Sequence, residues 1–293
     1  MTAVKWHEGP MVALDTETTG IDPFEARIVT AAIVHTRPGQ RPTTIQWLID
    51  PGTDIPQEAS DVHGWTTDRL RERLRGRDAL RLTGRNEMPL SRKGAISEIA
   101  AQAWTAMEAE APLVVHNAAY DLTLLETELG RQSLQPLSDR RGGIRGVIDP
   151  MVLEKQFDVF RKSCYKAPGC DADAKLHECG GCRGGRVQCG GCGVTDRTLT
   201  SLCKHYGVVL PGAHSADADA IAAIRLAGKL AAAWPDTARL KLATLHKHQV
   251  TWRAEQSDGL RDFWKRKRDE RWREVDSGWP LNSRATTSER GAA

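Results

Sequence analysis

Three extended segments in succession, followed by helical stretches alternating with short apolar runs, restrict this chain to a layered α/β architecture. Met11–Leu14 is apolar, Arg27–His35 (RIVTAAIVH) is rich in β-branched residues, and Thr44–Ile49 (TIQWLI) follows as a third strand. Gly20 and Pro23 punctuate the first connection. Ile96, Ile99, Ala103 and Met107 then recur at helical spacing, which predicts a helix over 95–109. Pro112–His116 (PLVVH) reads as a buried strand. Asn117 stands at the N-cap position of a helix that carries Leu122, Leu125 and Leu129 on one face and stops at Gly130. Gly146–Asp149 is a further short strand, and Pro150 opens a helix. Two more helices are expected over 198–206 and 215–234. A meander followed by this alternation predicts helices packed on a mixed sheet.

Residues 161–197 break the pattern, being rich in Gly and Cys without apolar periodicity, and are read as an insert. A chain of 293 residues is long enough for a full α/β core with such an insert and a tail. No run of 18 apolar residues exists, which argues against a membrane span. The N-terminal MTAVKWHEGP lacks a basic-then-apolar signal, so a cytoplasmic protein is expected.

The formal charge is only +3, but its distribution is uneven. Between Arg69 and Lys93 nine Lys/Arg stand against three acids, and between Arg261 and Arg273 seven against three. Basic stretches around acidic candidate residues suit an enzyme that gathers phosphates about a cation site, although a solvated helix face explains either stretch alone.

The acids form three elements. In Asp15-Thr16-Glu17 the carboxylates lie two residues apart at the end of a predicted strand, so both project from one face. Paired carboxylates repel unless a cation neutralises them, and oxygen-rich sets suit Mg²⁺ or Mn²⁺. A polar turn closing a strand is the plainer alternative. Asp121 falls just inside the helix after PLVVH, near the sheet edge where sites collect, or else serves the helix dipole. His214 and Asp219 are five residues apart; on one helix they would diverge by about 140°. His214 is therefore placed in the loop, Ser215 near the N-cap and Asp219 in the early helix, with Asp217 as the rival carboxylate.

Taken in order, these elements resemble the DEDDh group of DnaQ-like exonucleases, the family of the proofreading epsilon subunit of bacterial replicative polymerases. The matching segments are ALDTETTG (13–20), VVHNAAYD (114–121) and HSADAD (214–219). VHGWTTD (62–68) and LTSLCKHYGVVLPGAH (199–214) are similar to further family segments. TWRAEQSDGLRDFW (251–264) and the later GWP look like the tail of actinobacterial members, and a phage origin is equally compatible. The resemblance implies a ribonuclease H-like mixed five-stranded sheet flanked by helices, with an exonuclease domain over 8–235. It implies Asp15, Glu17, Asp121 and Asp219 as ligands of two Mg²⁺ or Mn²⁺ ions and His214 as general base. Thr16, Thr18, His63, Asn117 and Tyr120 become candidate substrate contacts, Tyr120 in a supporting part. The implied reaction is 3′→5′ hydrolysis of DNA to nucleoside 5′-monophosphates at single-stranded or frayed ends, in proofreading or repair, with polymerase association conceivable. RNA trimming by the same residues is the alternative. A non-catalytic nucleic-acid-binding adaptor is a third reading, which the acid set disfavours.

Cys179-Gly-Gly-Cys182 and Cys189-Gly-Gly-Cys192 are two CxxC pairs separated by six residues. Four thiolates are the usual shell of a structural Zn²⁺, and this insert is too poor in apolar residues to fold readily alone. The separation is short for a zinc ribbon, so Cys164, Cys170 or His177 remain candidates for one position or a second site. Cys203 reads as a small buried apolar residue. Residues 236–280 form a basic, Trp-containing helical tail. Its aromatics either stack bases or pack back on the domain through Leu260, Trp264 and Val275. Residues 281–293 have the composition of a disordered end.

Overall fold

A seven-stranded mixed sheet organises the chain, seen in a computed structural model that describes residues 5–158, 196–210 and 212–287. The strands are β1 (Met11–Thr18), β2 (Ile28–Thr36), β3 (Thr43–Ile49), β4 (Ala79–Thr83), β5 (Asn86–Leu90), β6 (Leu113–Val114) and β7 (Val147–Ile148). Their order is β5-β4-β3-β2-β1-β6-β7. Strands β1 to β5 pair antiparallel in sequence, whereas β6 pairs parallel with both β1 and β7. Five strands were expected. The two extra ones are the β4–β5 hairpin, inside the basic stretch 69–93. Arg81, Arg85, Asn86 and Glu87 mask its alternation, because an edge hairpin buries little of either face.

The helices are α1 (Gln57–His63), α2 (Thr67–Leu74), α3 (Arg92–Glu108), α4 (Ala118–Arg131), α5 (Pro150–Phe157), α6 (Leu199–His205), α7 (Ala216–Ala233), α8 (Pro235–Arg239), α9 (Leu242–Arg266) and α10 (Ser283–Thr287). Because side chains alternate along a strand, β1 feeds two cores. Val12 and Leu14 join Ile33 and Trp47 beneath α3 and α4, with Ile96, Ile99, Leu122 and Leu125. Met11 and Ala13 face the other way and join Val34, Val114 and Ile148 beneath α7, with Ala223, Leu226 and Leu230. Alanines on α7 let it lie close to β1 and β2. A third cluster seats Leu70 and Leu74 of α2 against Leu48 and Leu80. None of the helices among the described residues is long and apolar enough to cross a membrane.

The tail differs from its expected packing. Leu245, Gln249 and Ser257 are the buried residues of α9, while Leu260 and Phe263 are exposed. Of the expected stripe, Leu260 is exposed on α9, Trp264 is half-buried near its end, and Val275 is half-buried in the chain beyond it. Trp279 and Leu281 return to the principal core, and α10 forms within the stretch expected to lack order. The four CxxC cysteines, with Cys164, Cys170 and His177, lie outside the described residues; Cys203 is buried on α6.

Candidate active site

Parity along β1 continues past its apolar half. Asp15 and Glu17 share the face of Met11 and Ala13 and so point toward α7, where Asp219 lies in the first turn. One oxygen from each of Asp15, Glu17 and Asp219 falls within 4.8 Å of the others, a spacing that one cation can span. The β1–β2 register slips between Glu17 and Thr18, leaving an extra residue on β2. Such a bulge twists a strand end and re-aims its side chains.

Asp121 reaches the same strand end from the other face. Its Oδ1 accepts the Thr16 hydroxyl at 2.6 Å, as the alternation of β1 demands, since Thr16 points away from Asp15 and Glu17. Asp121 is not part of the three-carboxylate cluster, yet its charge helps to raise the pKa of both Asp15 and Glu17. Loss of water contact is the leading cause for every acid here. It pushes Asp15 well up, Glu17 to about 8 and Asp121 to about 7, and it raises Asp219. Neighbouring carboxylates add repulsion at Asp15 and Glu17, whereas the Thr16 hydrogen bond opposes the shift at Asp121.

The residues fit a divalent cation. Asp219 Oδ1 is buried without a hydrogen-bond partner, while its Oδ2 accepts the His214 backbone N–H at 3.2 Å. A buried carboxylate oxygen lacking any donor, beside two further carboxylates, is a ligand atom in want of a positive charge.

His214 precedes α7 in a left-handed conformation, φ 68°, with its side chain exposed and Ser215 at the N-cap position. Asp217 contacts the Ser215 hydroxyl and adds a minor upward push on Asp15. His63 behaves differently. Its Nδ1 accepts the Trp65 backbone N–H at 3.1 Å, so its proton sits on Nε2, which donates to Thr18 O at 3.2 Å. Burial and the nearby His214 lower its pKa. With both nitrogens occupied, His63 is held neutral and positions the exit of β1.

The remaining expected contacts sort in the same way. Tyr120 bonds the Thr18 hydroxyl at 2.7 Å and Gly20 O, and burial raises its phenol to about 12, so it braces the loop after β1 as a neutral group. The Asn117 side chain does not cap α4. The residue is left-handed at φ 63°, and the helix end is satisfied by Asp149, which accepts the Asn117 and Ala118 N–H groups at 3.0 Å each. Asp149 also accepts the Met151 N–H at 2.9 Å and the Trp279 indole at 3.2 Å. One buried carboxylate thus caps α4 and α5 together and fixes the turn carrying Asp121. Nothing in the spacing of Asp149 signals that service; its place at a strand end before Pro150 is the one hint.

Beside the acids opens a cleft of about 490 Å³ lined by Glu17, Thr18, Ile21, Val62 and His63 among others. Ile21 is 96% exposed and Val62 53% exposed at its mouth.

Known structures share this architecture. The fold resembles that of Exonuclease I. Exonuclease I from Methylocaldum szegediense matches with a TM-score of 0.52 at 17% identity, over 84% of this chain and 45% of that one. E. coli Exonuclease I in complex with a dT13 oligonucleotide matches at 0.51 and 16% identity, over 78% and 42%. The zinc-ion-bound form of the E. coli ExoI–ssDNA complex matches at 0.50 and 15% identity, over 78% and 41%. The chain spans less than half the length of these Exonuclease I chains. At such identities the likeness establishes the fold, a ribonuclease H-like mixed sheet flanked by helices. No protein-family model matches the chain, and no curated protein does either.

Proposed function

We propose that the chain is a metal-dependent 3′→5′ exonuclease that hydrolyses single-stranded or frayed 3′ ends of DNA and releases nucleoside 5′-monophosphates. The observation that carries this reading is the convergence of Asp15, Glu17 and Asp219 around a buried, unpartnered Asp219 Oδ1. Those three residues, with Asp121 beside them, would hold Mg²⁺ or Mn²⁺. When bound, the cations neutralise the carboxylates and supply Lewis-acid activation of the scissile phosphate and the attacking water.

The chain's own groups supply the rest. His214 is the histidine with an exposed ring beside the acids, and it takes the water's proton as general base. His63, pinned at both nitrogens, orients Thr18 and the wall of the cleft. The exposed Ile21 and Val62 offer apolar surface on which the terminal nucleoside can rest, while Glu17 lines the same cleft. DNA is favoured because similar structures hold DNA oligonucleotides. An enzyme consuming single-stranded 3′ ends suits repair or proofreading. We assign a structural Zn²⁺ to Cys179, Cys182, Cys189 and Cys192 on their spacing alone.

Matched 3′-labelled DNA and RNA oligonucleotides, incubated with Mg²⁺, Mn²⁺ or chelator, test the reading. Mononucleotide release from DNA, absent with chelator and absent in a folded Asp15→Ala protein, is the expected result. Full activity of Asp15→Ala would sink it. Zinc content per chain before and after Cys179→Ser tests the insert separately.

A further inference from the structure

The far end of α9 carries an aromatic and cationic cluster that domain packing leaves unused. Up to Ser257 the helix is seated, with Leu245, Gln249 and Ser257 buried. Beyond it Phe263 is 41% exposed, and Phe263, Trp264 and Trp272 belong to none of the three apolar clusters. The chain reverses at Arg268, φ 55°, and a 3-10 turn over Glu270–Arg273 returns Trp272 to the helix end. Lys265 Nζ lies 5.2 Å from the Trp272 ring centre and Lys267 Nζ 5.9 Å from that of Phe263.

The acids of this segment answer three of its cations, the first being Arg261, which pairs with Asp258. Asp269 pairs with Arg271, which stacks 3.7 Å over Trp264, and Glu270 pairs with Arg273. Lys265, Arg266, Lys267 and Arg268 make no ion pair among the described residues. Four successive cations without an ion pair, beside the exposed Phe263 and the half-buried Trp272, attract an anionic polymer that also offers flat faces. Single-stranded nucleic acid has that composition, phosphates alternating with bases. An anionic membrane would demand a contiguous apolar face, and here the rings are interleaved with charge.

We propose that Phe263, Trp272 and the Lys265–Arg268 run form a second contact for single-stranded nucleic acid, outside the catalytic cleft. The cations take phosphates and the ring faces take bases, with Trp264 braced beneath Arg271. The identity of the polymer rests on the exonuclease reading; the surface does not.

Fluorescence anisotropy of a labelled dT20 strand, in chelator so that nothing is cleaved, tests it. Lys265→Gln/Lys267→Gln should weaken binding at least tenfold and make the salt dependence of log K shallower by about 1.4, at 0.7 per lost phosphate contact. Trp272→Ala should also weaken binding, and Trp272→Phe, which keeps a ring, should restore most of it. Thermal melts confirm that each variant is folded. Unchanged affinity in the double Gln variant overturns the proposal, as does equal binding by Trp272→Ala and Trp272→Phe, or preference for anionic vesicles over the strand. Wild-type hydrolysis is assayed separately with Mn²⁺. Its absence would remove the exonuclease reading and leave the binding result standing.

Discussion

Thr16 donates its hydroxyl to Asp121 at 2.6 Å, joining the first strand to a helix that begins more than a hundred residues later. The bond stabilises the ionised carboxylate and opposes the burial that lifts Asp121 to about 7. Thr16→Val keeps the shape and removes the donor, so the Asp121 pKa rises further. Because an ionised Asp121 serves the cation site, the acidic limb of the pH–rate profile should move upward by roughly one pH unit. Activity on that acidic limb should fall several-fold while activity on the alkaline plateau changes little; Thr16→Ser should behave as wild type. An unshifted limb would mean that the bond is incidental.

Asp149 is 1% exposed and receives donors from Asn117, Ala118, Met151 and Trp279. Asp149→Ala strands those donors and should cost about 3 kcal/mol or more of unfolding free energy. Trp279→Phe removes one donor from a residue that stays packed, and about 1 kcal/mol is expected. Denaturant midpoints measure both. Since Asp149 holds the turn that carries Asp121, Asp149→Ala should also raise the metal requirement for activity.

That network shows where the sequence stopped informing. The i, i+2 pair Asp15 and Glu17 was legible, because strand parity alone puts both on one face. The placement of His214 outside a helix beginning near Ser215 was legible from the angular mismatch with Asp219. Asn117 does stand at the N-cap position of α4, as local propensity reads it, but its side chain makes no cap; the group that closes the helix end is Asp149, brought there by a parallel strand. The β4–β5 hairpin was hidden by its arginines, and the seat of α9 by Gln249, a buried polar residue whose amide bonds Asp149 N and Val147 O. Periodicity sees apolar burial and misses burial secured by hydrogen bonds.

The acid cluster makes the metal-free protein sensitive to pH. Glu17 and Asp121 hold protons up to about 8 and about 7, against 4.5 and 3.8 for the unperturbed groups. Between those limits the unfolded chain releases protons that the folded chain retains, so rising pH favours unfolding. The chelated protein should therefore lose at least roughly 4 °C in Tm between pH 5.5 and 8.5. Mg²⁺ or Mn²⁺ should abolish that fall by binding the ionised carboxylates. Glu17→Gln, which cannot ionise, should flatten the chelated curve and inactivate the enzyme. A chelated Tm that climbs over this range would contradict the burial of these acids.

The two histidines near the site separate into different services, and kinetics can tell them apart. His63 has both nitrogens committed, to Trp65 N–H and Thr18 O, whereas the His214 ring is exposed next to a backbone that bonds Asp219. A general base acts on the water in the transition state, so His214→Ala should lower kcat by about 10²–10⁴ with KM little changed. The loss should shrink at alkaline pH, where hydroxide replaces the missing base. His63→Ala should instead loosen the cleft wall built by Thr18, raising KM with a smaller fall in kcat and leaving the slope of the pH profile intact. Equal kcat losses and equal pH profiles for the two variants would assign both to positioning and leave the base to be sought elsewhere around Asp15 and Glu17.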